Sequence, residues 1–239
     1  GPKDEATAAL YYKKSLQTWK KEADDGDAKA ALWAALVYER KLVPDSSPEK
    51  SVPYLLQAAE SGNLTAQGLL AFKYRDGLGV PQDAAKAVEW FEKAASRKDL
   101  GAVMELGIMF RDGKYLPPDR EKAFHWFEKG AEWKDPYSMA ALADMLLEGT
   151  PSAEQAARAL ALYREAAAVG YFPAALKAAE LLQNGKGGEL DADEAYRLLR
   201  RVADAAGDPK AMYMLAQVYY TRGDEAQGDS LMKASAQAA

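Results

Sequence analysis

Few residues in this chain could carry chemistry, and the first candidate is a lone histidine. His125 lies between Phe124 and Trp126, and the 239-residue sequence contains no second histidine and no cysteine. A catalytic base or a zinc site needs partner side chains, and no other histidine or cysteine is available. We therefore predict that His125 is a surface or groove-edge residue. We also predict no metal site and no cofactor.

Aspartates form a second group of candidates, because paired carboxylates can act as general acid and base on a glycosidic bond. Some of them precede a helical pattern, namely Asp83, Asp119 and Asp191, and others lie in short loops, namely Asp27, Asp99, Asp135 and Asp208. Acids at helix starts cap the helix and suit the positive end of its dipole. Capping and turn roles are our prediction for both sets, and a catalytic pair stays open as an alternative.

A glycine-rich stretch, GKGG at residues 185–188, could suggest phosphate binding. It lacks the spacing of a phosphate-binding loop and the strand that precedes one, so we predict a plain turn. The sequence contains neither Gly-x-Ser-x-Gly nor His-Glu-x-x-His. We expect no catalytic residues and predict that the protein is not an enzyme.

The bulk composition excludes further classes. The net charge is −5, with 36 acidic against 31 basic residues, whereas nucleic-acid binding needs a clustered basic face. No stretch approaches the roughly 18 apolar residues of a membrane span. Gly1 and Pro2 look like the remnant of a cleaved tag. The absence of cysteine fits a periplasmic or secreted bacterial protein, which we expect, with a cytoplasmic protein as the alternative.

One internal repeat organises almost the whole chain. A small residue recurs at intervals of 36, 36, 36, 36 and 37 residues, as Ala30, Ala66, Ala102, Ser138, Ala174 and Ala211. A second marker keeps the 36-residue interval throughout, as Ser51, Ala87, Ala123, Ala159 and Ala195. Such a period indicates a repeat architecture. We expect the one extra residue after Ala203, in the loop ADAAGDP.

Each repeat contains two helical patterns. In the first helix, Ala66, Leu70 and Tyr74 share one face, and Gly77 ends the pattern. The second helix carries large aromatic residues such as Phe91. Because a single helix pair cannot bury both of its faces, successive pairs should stack with these aromatics between them. The predicted core aromatics are Tyr74, Trp90, Phe91, Phe110, Trp126, Phe127 and Tyr163. Trp33 and Trp133 fit this pattern less well, and we expect Trp133 to be exposed.

The repeats predict a single domain over residues 3–239. A capping helix at 4–24, with Trp19 in the slot of Phe91, precedes repeats at about 27–61, 63–97, 99–133, 135–169, 171–206 and 208–239. The first repeat has lost its glycine turn, in the stretch ERKLVPDSSPEK. The last repeat ends in polar and small residues, which suit a helix whose outer face has no further neighbour.

The repeat resembles the Sel1-like repeat, a relative of the tetratricopeptide repeat. Residues 66–95 carry the resemblance through Ala66, Leu70, Tyr74, Gly77, Gly79, Val80, Asp83, Lys86, Ala87, Trp90, Phe91, Ala94 and Ala95. Residues 102–131 keep most of these positions, and residues 138–167 and 174–203 match more loosely. The family's glycine after leucine is Ala71 here. The resemblance implies an all-α, right-handed α/α solenoid of about six helix-turn-helix repeats with capping helices.

The resemblance also implies that the first helices line a concave groove. Groove-facing positions that do not serve the core are then candidates for binding a partner protein or peptide. They are Leu32, Leu36, Phe72, Arg75, Met104, Ile108, Arg111, Asp144 and Tyr213. Apolar side chains rimmed by arginine are typical of protein interfaces. The alternative is that these side chains pack between successive first helices.

Members of such a family serve largely as adaptors and scaffolds, which gives the first functional hypothesis. The chain would bind a protein partner in a bacterial envelope or signalling complex, and it would be a monomer when free. The second hypothesis is a periplasmic inhibitor, such as an immunity protein that blocks a secreted toxin. The third is an enzyme, which nothing in the sequence favours.

Overall fold

The structure, a computed structural model, describes residues 2–188 and 190–238. Gly1, the first residue of the predicted tag remnant, lies outside the described residues, as do Glu189 and Ala239. Over the described range the chain forms thirteen α-helices and no β-strand. This result confirms the predicted all-α fold class.

The structure divides into two compact units, and the boundary falls between Trp126 and Phe127. The helices of the first unit are α1 (Pro2–Asp24), α2 (Ala28–Glu39), α3 (Pro48–Glu60), α4 (Leu64–Asp76), α5 (Ala84–Ala95) and α6 (Leu100–Asp112). From α1 to α6, each helix packs against the next one along the chain. The lone α1 therefore covers α2, as predicted for a capping helix.

Helix α7 (Arg120–Glu132) contains the boundary, and the second unit continues from it. Its further helices are α8 (Pro136–Leu146), α9 (Ala153–Ala168), α10 (Phe172–Asn184), α11 (Ala192–Ala206), α12 (Pro209–Thr221) and α13 (Glu225–Ala238). From α8 to α13, each helix again packs against the next. The helix order agrees with six predicted pairs after α1, and a single domain over residues 3–239 stays a prediction.

One position of the second helix holds a large side chain in the core in each of the first five repeats. At 36-residue intervals after Trp19 these side chains are Leu55, Phe91, Phe127, Tyr163 and Leu199, and none is more than 1% exposed. Trp19 itself is half-buried against the cluster around Leu16 and Tyr38. Burying such a side chain contributes about 1.5–3 kcal/mol relative to leaving it exposed. This recurring position is the main apolar contribution of each repeat to the core.

The predicted core aromatics are largely confirmed. Five of the seven are buried, namely Trp90, Phe91, Phe110, Phe127 and Tyr163, while Tyr74 and Trp126 are half-buried. Trp33 is 50% exposed and stacks on Trp19 with ring centroids 6.0 Å apart. Trp133, expected to be exposed, is half-buried. Its backbone continues the turn of α7, because its N–H donates to the carbonyl of Lys129 at 3.3 Å.

Aspartates cap the helices at equivalent places in successive repeats. The first helices α2, α6, α8 and α12 are capped by Asp27, Asp99, Asp135 and Asp208, which accept backbone N–H groups at 2.7–3.0 Å. The second helices α5, α7 and α11 are capped by Asp83, Asp119 and Asp191. These backbone donors lower the pKa of Asp27 and of Asp119. The capping prediction is confirmed. Asn63 and Ser152 cap α4 and α9 instead, and the N-cap residues of α3 and α10, Ser47 and Tyr171, make no side-chain capping bond.

A left-handed residue follows the first helix of each of the first five repeats. Gly77, Gly113, Gly149 and Gly185 have φ between 66° and 73°. In the first repeat Lys41 takes the equivalent place and keeps the conformation, with φ of 52°. The loss of the glycine therefore does not remove the turn. Gly185 also confirms that GKGG is a turn.

A second glycine lets the turn of one repeat approach the helix before it. A Cβ atom on Gly79 would lie 2.6 Å from the carbonyl carbon of Pro48, at the start of α3. Gly187 occupies the equivalent place and would bring a Cβ within 2.8 Å of Leu160 in α9. Contacts under 3.0 Å force a shift of the backbone or of the packed neighbour. At these two places the glycine therefore permits a close approach that a larger side chain would prevent.

The 37-residue interval between Ala174 and Ala211 contains one extra residue, which we predicted after Ala203 in a loop. The structure places this part of the chain in a helix. Helix α11 continues to Ala206 and ends at the left-handed Gly207, immediately before the N-cap Asp208. Most of the stretch ADAAGDP is therefore helical, which corrects the predicted loop. The physical reason is that Ala205 and Ala206 are strong helix formers and Gly207 supplies the stop.

None of the helices in residues 2–188 and 190–238 is both long enough and apolar enough to cross a membrane.

Substitution of Gly79 by alanine should lower the free energy of unfolding by about 2–4 kcal/mol, because the methyl group meets the backbone of α3 and φ is positive. Gly26 is the matched control. It has φ of 98°, and a Cβ atom added to it would meet no atom within 4 Å, so Gly26→Ala should cost only about 1 kcal/mol. Urea unfolding followed by circular dichroism measures both. Equal losses would show that the turn can move away from α3.

Substitution of Lys41 by glycine should raise the free energy of unfolding by up to about 1 kcal/mol, because glycine adopts the left-handed conformation without steric cost. The same change at Lys14, an exposed residue inside α1, should lower it by about 1 kcal/mol. Thermal and urea unfolding of the two variants provide the comparison. A loss of stability in Lys41→Gly would contradict the assigned turn conformation.

Candidate protein-binding surface

The residues that could have carried catalysis serve structural roles. His125 is exposed on α7, with its ring edge-on to Trp126 at 5.3 Å. Within the part of the chain that the structure describes, no three His, Asp or Glu side chains lie close enough to hold a metal ion. The recurring aspartates cap helices. The surface of the first helices is therefore the remaining candidate site.

In the first unit, seven predicted partner-binding residues lie on three first helices. Leu32 and Leu36 are on α2, Phe72 and Arg75 on α4, and Met104, Ile108 and Arg111 on α6. The five apolar side chains are all half-buried, and Arg111 is exposed. Half-burial means that each apolar side chain supports its repeat and still presents surface to solvent. Their role in binding a partner stays a prediction.

The other two predicted residues belong to the second unit. Asp144 on α8 is exposed and accepts the phenolic O–H of Tyr163 at 2.5 Å, with Lys177 at 3.6 Å. Burial, and then this bond to a carboxylate, raise the pKa of Tyr163. Tyr213 on α12 is 48% exposed. Asp144 therefore already serves as a hydrogen-bond partner inside its own unit.

Arg75 joins α4 to α6. Its guanidinium makes two bonds to Asp76, from Nε at 2.9 Å and from Nη2 at 2.8 Å. Its Nη1 donates to Glu105 on α6 at 2.7 Å. The guanidinium also lies 4.7 Å from the centre of the Phe72 ring and 5.3 Å from that of Tyr115. Arg75 thus works mainly as an internal link and covers part of Phe72.

The charged side chains around Arg75 shift one another's pKa values. The bonds to Asp76 raise the pKa of Arg75, and the guanidinium lowers the pKa of Asp76. Burial raises the pKa of Glu105, and the nearby guanidinium opposes this shift without cancelling it. The Tyr115 hydroxyl completes the cluster by donating to Asp76 at 3.0 Å. This part of the surface therefore presents little unbalanced charge.

The second predicted arginine also bonds to its neighbouring aspartate. Arg111 Nε donates to Asp112 at 2.6 Å, which repeats the Arg75–Asp76 pair one repeat later. Between the two pairs lies a surface cavity of about 220 Å³, lined by Arg75, Ile108, Met109, Asp112, Lys114 and Tyr115. The structure therefore brings Arg75 and Ile108 together at one opening.

A buried ion pair joins α2 to α4 in a similar way. Lys73 is only 3% exposed, and its ammonium lies 2.6 Å from Glu39 and donates to the carbonyl of Leu78 at 3.1 Å. Ser51 donates to the same carboxylate. Successive first helices in this unit are thus connected by charged side chains, Glu39 with Lys73 and Arg75 with Glu105.

Sequence reasoning missed Glu105, Asp76 and Tyr115 as partners of Arg75. The sequence does contain a periodic signal for Glu105, because it lies 30 residues after Arg75. The same separation joins Glu128 to Arg158 and Arg164 to Glu194. A search for opposite charges at this separation could therefore have found the link.

Substitution of Arg75 by alanine should lower the free energy of unfolding by about 1–3 kcal/mol, because Glu105 loses its partner in a half-buried place. Arg197, an exposed residue of α11, is the control, and its alanine variant should stay within about 0.5 kcal/mol of the parent. Chemical unfolding measures both. An unchanged stability in Arg75→Ala would show that the arginine is available to a partner after all.

Comparison with known proteins identifies the repeat. The family model of the Sel1 repeat matches residues 29–63, 65–99, 101–132, 136–171, 173–206 and 209–230. No curated protein sequence matches the chain. The matched segments follow the helix pairs α2–α3 to α12–α13 described above.

Two solved structures share this fold over 93% of the chain. The protective antigen c5321 of uropathogenic Escherichia coli strains is 28% identical, with a TM-score of 0.79. A Sel1 repeat protein from Oxalobacter formigenes is 26% identical, also with a TM-score of 0.79. The chain spans 48% of the first protein and 66% of the second.

The immunity protein Pa5087 from Pseudomonas aeruginosa is a more distant match. It is 22% identical over 88% of this chain and 80% of its own, with a TM-score of 0.45, and this likeness carries no functional argument. The identity of the repeat follows from the six consecutive segments and from the helix pairs that they cover. The chain belongs to the Sel1 repeat family, with the all-α repeat fold of that family.

Proposed function

We propose that the protein is a non-enzymatic adaptor or scaffold, and that a partner polypeptide binds to the first-helix surface of the first unit. Sel1 repeats mediate protein–protein interactions, which supports the general role. One observation carries the choice of surface. It is the row of half-buried apolar side chains on α2, α4 and α6.

The row has the chemistry of an interface core. Leu36, Phe72 and Ile108 follow one another at 36-residue intervals, and Met104 lies one helical turn before Ile108. Aromatic residues and methionine are enriched at the centres of protein interfaces. Because the side chains are already half-buried, a partner can cover them with little loss of side-chain freedom.

The charges around the apolar row indicate which kind of partner can bind there. Arg75 and Arg111 are bonded to Asp76 and Asp112, so the two arginines do not present unbalanced positive charge. An interface here depends on apolar contacts more than on attraction of an acidic segment. We therefore propose that the partner contributes an apolar face, such as one side of an amphipathic helix.

We place this interaction in a bacterial envelope or signalling complex, in a periplasmic or secreted protein that is monomeric when free. The cysteine-free composition is compatible with a periplasmic or secreted protein, and the two structures at 28% and 26% identity are of bacterial proteins. An inhibitor of a secreted toxin would use the same surface. The two roles differ in the partner, since only the inhibitor abolishes the activity of what it binds.

A photo-crosslinking amino acid placed at Ile108 should capture one partner polypeptide in the native cell. The same amino acid at Glu92, an exposed residue of α5, is the matched control and should capture none of that partner. Substituting Met104 by serine should reduce the Ile108 crosslink about tenfold, as expected for a residue at the centre of an interface. Mass spectrometry identifies the partner, and a thermal melt of Met104→Ser checks the fold.

Equal crosslinking from Ile108 and Glu92 would contradict the proposed surface. So would an unchanged yield in Met104→Ser. If the partner is a toxin whose activity falls when the protein is added, the inhibitor role is established in place of the adaptor role.

A further inference from the structure

A second cavity lies in the first unit where α1 packs on α2. It measures about 320 Å³ and is formed by one face of α1, by α2 and by the turn between α2 and α3. The side chains that define it are Lys13, Leu16, Lys20, Tyr38, Val43 and Asp45. None of the predicted partner-binding residues lines it. Its volume is near the lower end of the range for small-ligand pockets.

The cavity lies beside a turn whose sequence differs from that of later repeats. Val43 lies 36 residues before Gly79, the glycine that lets the next turn approach α3 closely. The equivalent Gly187 makes the same approach to α9. In the first repeat the valine side chain instead packs with Leu16 of α1 and Tyr38 of α2 in one core cluster. This contact forms one wall of the cavity.

The floor of the cavity is apolar and firmly packed. Leu16 and Val43 are each 7% exposed and Tyr38 is 6% exposed, and all three belong to one core cluster. Tyr54 packs against this cluster, with its ring centre 6.2 Å from that of Tyr38. A ligand would therefore meet a preformed apolar surface with little need for rearrangement.

The rim of the cavity is positively charged. Lys13 and Lys20 both project from α1, three and four residues from Leu16. The Lys20 ammonium lies 5.5 Å from the centre of the Tyr38 ring and 5.8 Å from that of Tyr54. The rim carboxylate, Asp45, is already paired with Lys50. Two ammonium groups thus face an opening whose acidic group is neutralised.

The side chains near Lys20 keep it charged. Its interaction with the Tyr38 hydroxyl raises the pKa of the ammonium above its usual value. The Lys50 ammonium likewise lowers the pKa of Asp45. The rim therefore combines two lysines with an apolar floor, a combination that favours an anion with an apolar body.

We propose that this cavity binds a carboxylate attached to a compact apolar group. The carboxylate lies between Lys13 and Lys20, and the apolar group packs on Leu16, Tyr38 and Val43. Such a group exists in a free aliphatic acid and at the end of a polypeptide whose last residue is aliphatic. The chemistry is the same in both, and a comparison of ligands separates the two sources.

The test is a titration of the ¹⁵N-labelled protein with N-acetyl-leucine, followed by NMR, up to about 10 mM so that millimolar binding is detected. We expect the amide signals of residues 13–20, of Val43 and of Asp45 to move. N-acetyl-leucinamide has the same apolar group without the charge, and it should bind at least about fivefold more weakly. Equal shifts with both compounds, or no shifts with either, would overturn the proposal.

Matched variants test the rim. The double change Lys13→Gln and Lys20→Met should raise the dissociation constant of N-acetyl-leucine at least about fivefold, and Lys14→Gln, a neighbouring exposed lysine that does not line the cavity, less than about twofold. An equal effect of both would indicate only a general loss of positive charge and would contradict the site. The single Lys13→Gln variant, at an exposed position, guards against unfolding.

Two further ligands distinguish the sources of the carboxylate. Octanoate represents free acids, and a short peptide ending in leucine represents a chain end, with its amidated form as control. Tighter binding of octanoate than of the peptide assigns the cavity to a free acid. Tighter binding of the peptide, lost on amidation, assigns it to a polypeptide end.

Discussion

Helices of 11–16 residues, such as α2 to α13, are marginal on their own in water, so each one depends on its neighbours. The large side chain at the position of Leu55, Phe91 and Phe127 meets this need, because it is buried where consecutive helices pack. Gly79 and Gly187 each let a turn approach the preceding second helix closely. The helix caps, the left-handed turns and the ion pairs between helices all help to maintain this contact between repeats.

The features that recur were predictable from the sequence, because every copy is an independent observation of the same environment. The aspartate caps, the left-handed glycines and the buried Phe91 position are of this kind. Features that occur once were not. Nothing local shows that Lys41 keeps a left-handed turn without glycine, and no other repeat shows that α11 extends to Ala206.

The candidate surface shows the same division. Its apolar positions could be located from the period, whereas the bonds of Arg75 to Asp76 and Glu105 depend on the distance between α4 and α6. Periodicity identifies which helix face a residue occupies, but it does not identify what that side chain touches. The arginines that we predicted to rim the surface are instead bonded to acidic side chains of the protein itself. The apolar side chains on α2, α4 and α6 are half-buried and still present surface to solvent.

The charged links between residues 30 apart have a consequence for the evolution of chain length. Adding or removing one residue inside a helix rotates everything beyond it by about 100°, which would separate both the ion pair and the packed face. The extra residue in α11 is harmless because it follows Ala203, beyond the last packed position. Insertions, deletions and exchanges of segments are therefore tolerated only when they comprise whole repeats that begin and end at equivalent positions.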